Sequence, residues 1–150
     1  MWLDALLAFL HYTAIFMLFG FLVAEAMAFR ANLDERMIRL LGRIDLWYFG
    51  SAIAALVTGF LRLVFGAKGP DFYLNAWPIY VKIGLFLVIA IVSVRPTLTF
   101  VRWRRALDHD LNWQVPDAER LQVRRFIMAQ LHLAALLPLI AVIMARGLGR

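Results

Sequence analysis

The chain of 150 residues contains no cysteine. Disulfides, thiolate metal sites and cysteine nucleophiles are thereby excluded together. Charge is scarce as well: Asp, Glu, Lys and Arg make up 17% of the residues, against ~25% in soluble domains. There is no Gly-rich phosphate loop, no HExxH and no Ser-His-Asp set in workable register. Met17, Met27, Met37, Met128 and Met144 show no paired spacing, which leaves a copper site without convergent ligands. The period-2 alternation of a membrane β-barrel is missing too.

What is present is apolar. Hydrophobic residues make up 63% of the chain, too many for a soluble domain of this size to hide. The same figure excludes disorder. Four apolar stretches, at about residues 5–29, 46–66, 77–100 and 126–145, each reach the ~20 residues that a bilayer requires, and they predict helices at about 3–29, 46–66, 77–102 and 118–145. Inside lipid the backbone must satisfy its own polar groups, so the stretches are expected as helices. The expected fold is all-α: a single-domain integral membrane four-helix up-down bundle. Trp2, Trp47, Trp77 and Trp103 fall at the segment ends and are expected at the membrane interfaces.

Orientation follows from the basic residues. The connections after the first and third segments carry ten arginines: 30, 36, 39, 43, 102, 104, 105, 120, 124 and 125. The other side carries three basic residues, Lys68, Arg146 and Arg150. This asymmetry predicts both termini on the outer (periplasmic) side of a bacterial inner membrane, with the Arg-rich connections in the cytoplasm. Asp4, with no Lys or Arg before the first segment, fits an outward N-terminus rather than a cleaved signal peptide. The net charge of +6 is then topology, and Arg102-Trp103-Arg104-Arg105 reads as an anchor on anionic lipid, not as a nucleic-acid surface. Assembly with further copies of the chain stays open.

The ionisable groups left within the segments are the candidate functional residues, because each is costly there unless paired or wet. At ~1.5 Å of rise per residue, His11, Arg62 and Lys82 fall ~6–10 Å below the outer interface. Two cations and an imidazole at one level, with no acid beside them in the bilayer, suit an anionic partner: a propionate, a phosphate or a carboxylate. Ser51, Ala55, Thr58 and Arg62 share one helical face, Lys82 and Ser93 another, and His11 and Glu25 a third. Small residues at four-residue spacing (Gly20, Ala24, Ala28; Gly50, Ala54; Ala55, Gly59) are expected to let helices approach. His132 is a further cofactor-binding candidate. Its ~12 Å offset from His11 along the membrane normal resists a bis-histidine pair unless Pro138 kinks the helix. At the inner end Glu25, Asp45, Arg43 and Arg95 lie at similar depth and read as a polar network: ion pairs that pin helix ends, or a path for protons.

The segment His11-Tyr-Thr-Ala through Ala24-Glu25 and the stretch from Arg95-Pro96-Thr97 to Arg104-Arg105 resemble a group of small bacterial four-helix membrane proteins. That group in turn resembles HemJ-type protoporphyrinogen oxidases and, more distantly, the CopD membrane domain. His11 early in the first segment and Lys82 shortly after Trp77 match the HemJ pattern. The resemblance implies haem b or porphyrin binding, with His11 as a ligand to haem iron and a membrane oxidoreductase activity. The sequence departs from that pattern at Leu18-Phe19-Gly20, at Ala26-Met27 and at Val94-Arg95-Pro96, where the family has Trp-Gly, Pro-Arg and Tyr-His. Three readings follow: a haem- or porphyrin-binding protein, a small ion or metal transporter, and a non-catalytic membrane subunit.

Overall fold

The computed structural model describes residues 2–30, 32–67 and 69–147. Lys68 and Arg150, counted above with the sparsely basic side, lie outside the described residues. The described residues form five helices and no strand: α1 (Trp2–Ala28), α2 (Glu35–Phe65), α3 (Gly69–Leu74), α4 (Trp77–His109) and α5 (Asp117–Ala145). The four long ones are long and apolar enough to cross a membrane.

The buried residues explain the arrangement. On α1 they are Leu7, His11, Ala14, Leu18, Leu22 and Glu25, spaced by three or four. On α2 the seam runs Ile38, Leu41, Asp45, Tyr48, Ser51 and Ala55. On α4 it includes Ile89, Pro96, Phe100, Trp103 and Leu107, and on α5 Val123, Ile127, Gln130 and Ala134. Such three-and-four spacing gives each helix one narrow stripe turned toward its neighbours. α1 lies along α2 and α4 along α5, and the two pairs meet through α2–α4 and α1–α5. Among the described residues the diagonal pairs, α1–α4 and α2–α5, do not approach backbone to backbone, so the section is four-cornered. The outward faces stay apolar, with Trp2, Phe16 and Ile91 more than 70% exposed, as a bilayer environment requires.

α2 and α4 run further than their apolar stretches. α2 starts at Glu35, where Asp34 caps the helix by accepting from the Met37 amide at 2.8 Å. Ile38 and Leu41 continue its seam, and Leu107 extends that of α4. Arg39 ties the two extensions, donating to Glu35 and to Asp108, each at 2.9 Å. Pro96 and Pro138 lie inside continuous helices. The expected turn between the second and third segments contains α3, six residues long.

The core is denser at the Arg-rich end. Among the described residues, Pro78 alone of the largest fully buried side chains lies toward the termini; Trp103, Phe100, Leu22, Ile38, Leu41, Leu107 and Ile127 all lie toward the arginines. Trp103 corrects the interfacial expectation. It is fully buried, its ring centroid lies 5.8 Å from Phe100 and 6.3 Å from Phe29, and its Nε1 donates to Glu119 Oε2 at 2.8 Å. Trp2, Trp47 and Trp77 are exposed. The small-residue expectation holds only in part, since a Cβ on Gly20 or Gly50 would meet open space.

Candidate functional site

The seams decide which polar residues enter the bundle. His11 stands between Leu7 and Ala14 on the α1 seam. Arg62 follows Ala55 by one heptad, and Lys82 precedes Ile89 by one heptad. All three therefore turn toward the interior of the thinly packed half, where His11 is buried and Arg62 and Lys82 are half-buried. The structure brings them together: His11 is within electrostatic reach of both cations, and they of each other.

The imidazole is held by α2. Its Nδ1 lies 3.1 Å from Thr58 Oγ1. The Thr58 hydroxyl is 2.6 Å from the Ala54 carbonyl, which can only accept. A hydroxyl has one proton, so Thr58 donates to Ala54 and accepts from Nδ1–H of His11. The network thus assigns the tautomer and leaves the lone pair on Nε2. The Ala55 carbonyl also lies against the ring. Gly59 supplies the space: a Cβ there would sit 3.1 Å from His11 Cε1.

Around the imidazole the cations lack acids. Arg62 Cζ lies 5.2 Å from the centroid of the Tyr12 ring, a cation–π contact, while its buried Nε has no hydrogen-bond partner. Among the described residues neither Arg62 nor Lys82 forms an ion pair. Asp4 approaches from α1, but its Oδ1 accepts from the Ala67 amide at 3.1 Å, just beyond the end of α2. The site is therefore an anchored imidazole beside two half-buried cations, which suits an anionic group and a ligand for Nε2.

The remaining candidates lie elsewhere. His132 is exposed on α5 and its Nδ1 donates to the Met128 carbonyl at 2.6 Å. It follows the seam residue Gln130 by two positions, ~200° around the helix, and so points away from His11. Glu25 and Asp45 are buried and face one another across α1 and α2. Arg95 does not join them: it is exposed on α4, with its Cζ 6.0 Å from the centroid of the Phe126 ring. The same ~200° separates Arg95 from Thr97 and Arg43 from Asp45. Instead Thr97, which sequence reasoning passed over, donates to Asp45 Oδ1 at 2.9 Å. Tyr48 and Gln130 were also missed, although both lie on the buried seams.

No curated protein and no solved structure matches the chain. Residues 3–149 match the family described as predicted membrane protein, DUF2214. A match over nearly the whole length, together with four membrane-capable helices, settles the family: the chain belongs to DUF2214, a family of predicted membrane proteins.

Proposed function

We propose that the chain binds haem b or a related porphyrin at the His11–Arg62–Lys82 end of the bundle. The observation that carries this reading is the anchored imidazole beside cations that, among the described residues, no acid neutralises. The residues fit the group on chemical grounds. A histidine ligand to iron coordinates as neutral imidazole through one nitrogen while a neighbour fixes the other. Thr58 is that neighbour, and Nε2 is the ligating atom. The partnerless Nε of Arg62 and the Lys82 ammonium supply donors and charge for propionates. His11 is then the one imidazole that serves the group, since His132 faces outward.

When bound, the macrocycle supplies the electron chemistry, and the protein supplies position and charge. Thr58 and Gly59 orient the imidazole. Arg62 and Lys82 hold the anionic edge toward the near aqueous boundary. The resemblance of His11 and the Trp77–Lys82 spacing to the HemJ pattern supports a redox role on the same residues. By the positive-inside rule, the Arg-rich end faces the cytoplasm and its anionic headgroups, and the site opens to the outer side of a bacterial inner membrane.

The test is a visible spectrum of the chain purified in detergent after haem-supplemented expression. A Soret band retained in His132→Ala and lost in His11→Ala is expected. A wild-type protein with no Soret band overturns the reading.

A further inference from the structure

The second polar cluster lies at the opposite end of the bundle. Glu25 follows His11 by 14 residues on α1, and Asp45 precedes Thr58 by 13 on α2. At ~1.5 Å per residue the two clusters are ~20 Å apart, most of the thickness of a ~30 Å hydrocarbon core.

Glu25 is 1% exposed and its Oε1 has no hydrogen-bond partner. Asp45, 7% exposed, accepts from Thr97. Glu25 lies within electrostatic reach of Asp45, and Tyr48, also buried, within reach of both. The groups facing the pair from each neighbouring helix are few. α2 brings Asp45 itself and Tyr48, and α4 brings the Thr97 hydroxyl. The buried polar residue of α5 is Gln130, whose Nε2 also lacks a partner. Arg43 and Arg95 form no ion pair with either carboxyl group among the described residues.

Two carboxyl groups facing each other in an apolar interior need a compensating positive charge. No arginine provides it. A metal ion is poorly served, because no group of three or more His, Cys, Asp or Glu converges among the described residues. A proton needs no such cage. The axial distance is short: Glu25 stands within a turn of the end of α1 at Ala28, ~5 Å from the Arg-rich boundary.

We propose that Glu25 and Asp45 form a carboxyl pair that reversibly binds one proton drawn from the Arg-rich side. Binding forms one O–H bond on a carboxylate oxygen and breaks one in hydronium, leaving water, and no electron moves. Thr97 positions Asp45, and the unpartnered Glu25 completes the site. The pair is independent of any group bound at His11.

The experiment is pH-difference infrared spectroscopy on the full chain in lipid nanodiscs. A protonated-carboxyl C=O band that disappears as pH rises is expected in the wild type. That band is expected to be lost or displaced in Glu25→Gln and in Asp45→Asn. Should either variant fail to fold, Thr97→Val keeps both carboxyl groups and is expected to move the midpoint of the titration. A band unchanged in these variants, or a wild type without a titrating band, overturns the proposal.

Discussion

Substituting Trp103 separates a buried staple from an interfacial anchor. An indole lying in the headgroup region can be exchanged for another side chain at little cost in a micelle. The structure instead places Trp103 fully inside the bundle, packed on Phe29 and Phe100 and bonded through Nε1 to Glu119. Trp103→Ala removes the ring and leaves a cavity, a loss of about 3–5 kcal/mol for a large aromatic. Trp103→Phe retains a ring and loses the hydrogen bond to a charged acceptor, worth about 1.5–3 kcal/mol. Glu119 is one-third exposed and keeps Arg102 at 2.7 Å, which puts the Phe variant near the lower figure. At roughly 2–4 °C per kcal/mol for a domain of this size, the Ala variant should melt roughly 6–20 °C lower. Thermal unfolding in detergent, read by tryptophan fluorescence, measures it. A Glu119→Ala partner completes a double-mutant cycle, with an expected coupling of about 1 kcal/mol. An Ala variant within ~1 kcal/mol of wild type refutes the reasoning, because no fully buried indole is removed so cheaply.

Other outcomes follow from single contacts. Thr58→Val removes the acceptor that fixes His11 Nδ1 and should weaken binding at the imidazole by about 10–100-fold, as measured by haem titration, with little loss of stability. Gly59→Leu forces carbon into a space that His11 already fills. It should cost about 1–3 kcal/mol in thermal unfolding, with Gly59→Ala milder. Arg39→Ala breaks two pairs whose side chains are 38–57% exposed. It should cost less than about 1 kcal/mol, and the difference should shrink further in high salt.

The four spanning helices were legible because their apolar content and length admit few alternatives. The ends of α2 and α4 were less so. Hydropathy stops at the arginines, whereas the seam continues through Ile38, Leu41 and Leu107, and Asp34 marks the true start of α2. The His11–Arg62–Lys82 cluster was visible as matched depth, and heptad register explains why all three turn inward. Depth alone misled for Arg95 and His132, which are level with interior groups yet rotated ~200° from the seam. Trp103 shows the same limit: an aromatic at a segment end is also an aromatic in register with Phe100 and Leu107. The tautomer of His11 could not be read from sequence, since it rests on where one Thr58 proton goes.

The most direct test of the central claim is the absorption spectrum of the purified, haem-supplemented chain beside its His11→Ala and His132→Ala variants. The account predicts a Soret band in the wild type and in His132→Ala, and none in His11→Ala. A band that survives His11→Ala, or a wild type that stays colourless, contradicts it.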